Sequence, residues 1–280
     1  MKKVIFIILL ISGIIFFGFK LTGINPFASE ASDQTTHNQA SSGGNSSGDV
    51  GCDHAELLRV ETPSSLSSQE KDYRGFRLSF NADNHTPNWV AWELLRSETD
   101  GDVARNNKFW QDEDMKGCPV TDDYKHSGYD RGHMCPAADQ KWDPQAMEDC
   151  FALTNMAPQA HTLNDGAWKT LENKERNWAD RDSAIVIVAG PIYQEGDRER
   201  IGKIGVRVPG AFFKVIIAPY LDSPRGIAFV YPNTTAPGNM QNYVMTIREV
   251  ERLTGLDFFS SLPDDVEEMI ETKASFRDWN

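Results

Sequence analysis

The sequence predicts an α+β domain behind an N-terminal targeting segment, and three observations carry that reading. Residues 88–95 and 183–189 are runs of strand length, rich in aromatic and β-branched side chains. Residues 163–180 and 243–253 place apolar side chains at helical spacing instead. Hydrophobic residues make up 40% of the 280, and aromatics 10%, which is ample for a buried core.

The elements follow in order. Residues 73–80 alternate in a strand-like way, and 88–95 form the next strand. Residues 96–128 are polar, with many Asp, Asn and Gly, and read as a long irregular excursion. Within it, Arg105-Asn106-Asn107-Lys108-Phe109-Trp110 is a basic-aromatic island. A short helix at 145–148 and a short strand at 151–155 precede the helix at 163–180. The run 183–189 ends at Gly190-Pro191 and reads as a central buried strand. Strands at 212–218 and 226–231 follow. The helix at 243–253 is stopped by Gly255, and Pro263-Asp264-Asp265 starts a last helix over 266–272, with acids in its first turn.

The first residues read as a targeting segment. Lys2 and Lys3 precede an apolar run at 4–19, closed by Lys20 and followed by small residues. Residues 1–29 are expected to be a signal peptide or, if retained, an N-terminal anchor in the inner membrane. Residues 30–51, rich in Ser, Gly, Asn and Thr, are a flexible linker to a folded domain at 52–280. The chain is therefore expected to be exported, either secreted or periplasmic. Cleavage would remove three lysines and no acid, taking the formal charge from −13 to −16. So acidic a chain does not coat nucleic acid by charge alone, although a local basic cleft is compatible with it. Cys52, Cys118, Cys135 and Cys150 are even in number, which in an exported chain favours disulfides, and Cys135 is expected to be bonded. The spacings contain no CxxC and no paired Cys/His zinc pattern.

The stretch 129–136 stands out. Asp130, Arg131 and His133 lie within four residues, separated only by Gly132. In an extended segment Arg131 and His133 share a face, so a fixed cation would stand beside an imidazole, as suits a reacting anion. Downstream, Trp168, Leu171, Glu175 and Trp178 share one side of the 163–180 helix. Asn164 is placed to cap its start, and Glu172 and Arg176 are i,i+4 neighbours able to pair. Taken singly, these read as one cap and one surface ion pair.

Together the motifs form an ordered set: Asp130-Arg131-Gly132-His133, Thr154-Asn155-Met156-Ala157-Pro158-Gln159, Leu163-Asn164-Asp165-Gly166-Ala167-Trp168, Leu171-Glu172 and Arg176. This set resembles the DNA/RNA non-specific endonuclease family, and the resemblance runs from about Tyr73 to Phe259. It implies a mixed, largely antiparallel sheet core carrying a ββα-metal finger. It also implies Mg²⁺ (or Mn²⁺) held by Asn164, His133 as general base, and Glu172 ordering the metal's water shell. Arg131, Arg176 and Arg105 would hold phosphate, and Asn155 would lie beside the site as a substrate contact. DNA and RNA are the implied substrates, and 5′-phosphorylated oligonucleotides the products.

The chemistry agrees with the residue types. Imidazole titrates near working pH, Mg²⁺ prefers oxygen ligands and retains waters, and guanidinium pairs with phosphate bidentately. Contacts confined to phosphate and sugar read no bases. Two alternatives stay open on sequence: a phosphodiesterase for nucleotides or small phosphodiesters, and a catalytically silent nucleic-acid-binding module. The sequence also leaves open a protein inhibitor as partner. His126 and His161 read as loop or packing residues, and Asp112-Glu113-Asp114 and Asp122-Asp123 as solvated charge.

Overall fold

The computed structural model describes residues 55–280. The expected targeting segment and linker, together with Cys52, lie outside the described residues. The strands are β1 (Val60–Glu61), β2 (Gln69–Asp72), β3 (Arg77–Asn81), β4 (Thr86–Leu95), β5 (Asp130–His133), β6 (Met156–Gln159), β7 (Ala184–Ile192), β8 (Arg200–Ile201), β9 (Val206–Arg207), β10 (Ala211–Ala218), β11 (Arg225–Pro232), β12 (Val244–Met245) and β13 (Asp257–Phe258). The α-helices are α1 (Arg96–Thr99), α2 (Pro144–Asp149), α3 (Lys169–Asp182), α4 (Ile247–Thr254) and α5 (Asp264–Glu271).

Seven strands form one sheet in the order β12-β11-β10-β7-β4-β3-β2, and every neighbouring pair is antiparallel. The mixed α+β class with an antiparallel core, expected from the sequence, is the class observed. β7 is apolar throughout because both sheet faces are covered. Its period of two sends Ile185, Ile187 and Ala189 into one core and Val186 and Val188 into the other. On the first face Trp92, Phe212 and Phe229 meet Trp168, Leu171 and Trp178 of the helical segment. On the second, Trp89, Phe213 and Ile217 meet Ile247, Val250, Phe258 and Ile270. Trp168 is fully buried; at about 25 cal/mol per Å² over the ~150–250 Å² of an aromatic side chain, its burial contributes about 4–6 kcal/mol of gross transfer free energy.

Several element boundaries differ from the sequence reading. Leu153–Asn155 is a 3-10 turn, and the strand comes after it as β6, because the β5–β6 ladder pairs Asp130 with Gln159 and His133 with Met156. The helix expected from 243 begins at Ile247. Thr246 caps it in a box with Glu249, while Val244–Met245 is taken by the sheet edge. Gly255 ends it in the left-handed conformation at φ 74°, as expected. Asp112 and Asp123 are buried rather than solvated. Asp112 accepts from Tyr73 and Lys71 at 2.6 Å each, and Asp123 accepts backbone N–H groups of Val120 and Lys203.

The cysteine expectation is overturned. Cys118, Cys135 and Cys150 are free and buried. Burial pushes all three thiols up, and Gln140 Nε2 donates to Cys135 Sγ at 3.1 Å. The strand end beside His133 is held by hydrogen bonds instead.

Candidate active site

The site is built on a hairpin and the helix that follows it. β5 carries Asp130, Arg131 and His133, and lies tight against β6. A Cβ at Gly132 would stand 2.5 Å from the Cβ and Oε1 of Gln159, so glycine here permits strand approach rather than ligand approach. Asn155, expected as a substrate contact, is wholly buried and faces away from the cleft. Its Oδ1 accepts from Cys135 N at 3.0 Å, and its Nδ2 donates to the carbonyls of Cys135 and Cys150 at 2.9 Å each. It therefore staples the chain just after His133 to the end of α2 and positions that residue. Trp168 Nε1 donates to the His133 carbonyl at 3.3 Å, tying helix to strand.

Asn164 does not cap a helix. It sits inside a π-helical turn, Leu163–Trp168, kinked at Gly166. Its Nδ2 donates to Asp130 Oδ2 at 2.8 Å, which leaves its carbonyl oxygen as the available donor to a cation. His161 Nδ1 lies 2.9 Å from the same carboxylate oxygen. Asp130 raises the His161 pKa through this hydrogen bond and its charge. His161 is thus part of the site's support, not a loop residue. Because Asp130 fixes which end of the Asn164 amide faces the cleft, Asp130→Ala is expected to raise the divalent-cation concentration for half-maximal activity about 10–100-fold, with a smaller effect on kcat. A Mg²⁺ titration of the purified variant checks this.

α3 presents Glu172 and Arg176 one turn apart. The expected pair between them is not formed. Arg176 donates from Nη1 to Asp139 at 2.7 Å and from Nη2 to Asn173 at 2.5 Å. Asp139 is fully buried, also accepts from Trp92 Nε1 at 3.1 Å, and offers the guanidinium a drier partner than Glu172 does. Glu172, left without a cation on its carboxylate, is pushed up to about 7, chiefly by burial.

These groups line one cleft of about 750 Å³. Arg105, Lys125, Arg131, Lys169 and Arg176 face it against Asp130, Asp165 and Glu172, so five cations oppose three carboxylates in a chain of formal charge −13. Arg131 lies over the Phe109 ring at 4.2 Å and Arg105 over Phe151 at 5.1 Å. His133 stands between the same two rings, 5.6 Å from Phe109 and 5.0 Å from Phe151. Burial, then the charges of Arg105 and Arg131, lower its pKa to about 3. The imidazole is therefore neutral in the free protein. The structure thus gathers Arg105, Arg131, His133, Asn164, Glu172 and Arg176, and leaves Asn155 behind them.

Sequence reasoning missed the layer beneath. Lys214 and Glu175 are fully buried and paired at 2.7 Å, and Lys214 also lies over the Trp168 ring at 4.8 Å. The signal was present: Lys214 is the one charge in an apolar strand, and Glu175 the one charge on the apolar side of its helix.

A base, an amide oxygen, a carboxylate and guanidinium groups set around a basic cleft on a hairpin and helix define a phosphate-handling hydrolytic site. A sequence profile of the DNA/RNA non-specific endonuclease family matches residues 53–265, and the chain belongs to that family. Similar proteins include "Nuclease EXOG, mitochondrial" of Danio rerio, 33% identical over 226 residues (75% of this chain, 66% of the relative). "Nuclease" of Nostoc sp. is 34% identical (71% of this chain, 76% of the relative), and human "Endonuclease G, mitochondrial" 29% identical (70% and 71%). The chain spans 66% and 60% of the length of the Danio rerio and Xenopus laevis EXOG relatives. Among solved structures, the complex of EndoG with EndoGI, described as showing the mechanism of EndoG inhibition, is similar with a TM-score of 0.68 and 29% identity. The match covers 76% of this chain and 99% of that one.

Proposed function

We propose that this chain is an exported endonuclease, dependent on Mg²⁺ or Mn²⁺, that hydrolyses DNA and RNA with little sequence specificity and leaves 5′-phosphorylated ends. The observation that carries this reading is the single cleft wall where neutral His133, Arg131, the Asn164 carbonyl and Glu172 converge in a locally basic opening. Asn164 and Glu172 can offer oxygen donors, which suits a hard, hydrated divalent cation, and the Glu172 carboxylate, raised chiefly by burial despite the charges of Lys214 and Arg176, suits its charge. Such an ion, when bound, would polarise a phosphate oxygen and protonate the departing 3′-oxygen through its waters.

The chain's own groups do the rest. Arg131, Arg105 and Arg176 hold the phosphate and the charge that develops on it. Once a phosphate pairs with Arg105 and Arg131, their charges no longer oppose protonation of His133. Its pKa then rises by the part those two charges had lowered it, while burial continues to hold it below the ordinary value, and the neutral ring accepts the proton of the attacking water. Substrate binding thereby arms the base. Contacts to phosphates alone account for low specificity. Export rests on the pattern of residues 1–29; cell fractionation with an antibody to the folded domain tests it. A protein inhibitor is a further proposed partner, because the EndoG neighbour was solved with one.

The decisive assay incubates the purified protein with plasmid and with RNA, in Mg²⁺ or in EDTA. Cleavage of both polymers in Mg²⁺ and of neither in EDTA is expected. Failure to cut either polymer in Mg²⁺ would sink the proposal.

The pH profile follows from Glu172. Its charged form exists above about 7 in the free protein, and a cation stabilises that form. The acid limb of kcat/KM is therefore expected near pH 7 at low Mg²⁺ and should move to lower pH as Mg²⁺ rises. A limb that stays at one pH at every Mg²⁺ concentration would assign it to another group.

A further inference from the structure

On the sheet face opposite the cleft, Glu251 of α4, Asp257 of β13 and Glu271 of α5 bring one carboxylate oxygen each within 4.8 Å of the others. Glu271 is 1% exposed, and while its Oε2 accepts from Arg248 Nη2 at 2.8 Å, its buried Oε1 has no hydrogen-bond partner among the described residues. A buried carboxylate oxygen left unsatisfied is costly, and here it belongs to a group with two further carboxylates alongside. The surroundings deepen the imbalance. Glu61 of β1 pairs in register with Asp257, and Glu267 of α5 adds its charge to the group. Arg248 is the nearby cation, and it is shared with Glu268 as well as Glu271. Burial first, then repulsion, holds all three above their ordinary values: Asp257 and Glu267 repel Glu251, Glu251 and Asp257 repel Glu271, and Glu61 repels Asp257, where a hydrogen bond with Glu251 acts in the opposite direction.

We propose that Glu251, Asp257 and Glu271 form a second divalent-cation site, of Ca²⁺ type, that clamps α5 to α4 and β13. The ligand chemistry points to Ca²⁺. All three donors are carboxylate oxygens, and Ca²⁺ takes such ligands at about 2.3–2.6 Å, so two of them on one ion span up to about 5 Å. Mg²⁺ keeps most of its waters and needs fewer protein carboxylates. Glu271 lies in α5, which starts at the end of the family-matched span of 53–265 and carries this ligand beyond it. Its role is structural: the cation neutralises repulsion at the junction of three elements, and the cleft is not involved.

The test uses full-length protein stripped with EDTA and carrying Asn164→Ala, which removes the proposed ligand in the cleft. Equilibrium dialysis against Ca²⁺ is expected to find one ion per chain, with a melting temperature that rises with Ca²⁺. Adding Glu271→Gln, or separately Asp257→Asn, should weaken binding at least tenfold and abolish the rise. Without Ca²⁺, Glu271→Gln should melt no lower than its parent, because the substitution removes a repelling charge while keeping shape. Equal Ca²⁺ binding with and without either substitution would overturn the site. So would a melting temperature that rises as pH falls from 8 to 6 but ignores Ca²⁺, since a shared proton would then satisfy the cluster.

Discussion

His133→Ala is expected to lower Mg²⁺-dependent cleavage of plasmid DNA and of RNA by about 10²–10⁴-fold, the usual contribution of a positioned general base. The fold should survive. The ring lies in the cleft wall between Phe109 and Phe151, and its backbone, not its side chain, makes the contacts to Trp168 and Met156. Unchanged cleavage would remove His133 from the mechanism while sparing the activity. The same variant reports on stability. The folded protein favours neutral imidazole, with a pKa lowered to about 3. Stability from that preference is full above the ordinary value of about 6.5 and is lost as pH falls below it. His133→Ala protein should therefore lose less stability between pH 7 and 5 than the parent, as urea unfolding at the two pH values would show.

Glu175→Ala is expected to destabilise the protein by about 3–5 kcal/mol, because it strands the Lys214 ammonium in a dry core. Both side chains are fully buried and paired at 2.7 Å, beneath the helix that carries Glu172 and Arg176. Replacing both at once, as Glu175→Leu with Lys214→Met, should cost far less, since the two charges leave together. Denaturant midpoints of the two variants decide the point; equal losses would mean that the pair does not act as a unit. In the single variant the melt should also fall by about 10 °C. The double variant should keep its stability but lose activity if Lys214, seated against Trp168, is needed to set the pitch of α3.

Much of the fold was legible because periodicity reports burial directly. β7 reads as a doubly covered strand from its unbroken apolar run. Boundaries were less legible where pairing competed with local preference. The stretch around Leu153 turns before it extends because β6 must register with β5, and helix α4 starts late because the sheet edge claims Val244–Met245. The cysteines misled for a similar reason. An even count describes what could pair, while the fold buried three of them as thiols.

The sequence by itself determined the family-like order of motifs, the strands and helices that carry them, and the residue types from which a base, a cation ligand and phosphate contacts can be drawn. Those depend on local spacing, which sequence records. Only the tertiary structure decided which partner each group takes. Arg176 turns to Asp139 and not to Glu172, Asn155 serves as a staple behind the cleft, and Asp130 orients Asn164 with His161 at its side. It also decided that an acidic chain presents a basic cleft and gathers its surplus acids elsewhere, at Glu251, Asp257 and Glu271 among other places. Partner choice depends on distance and burial between segments far apart in the chain, and those quantities exist only once the chain has folded.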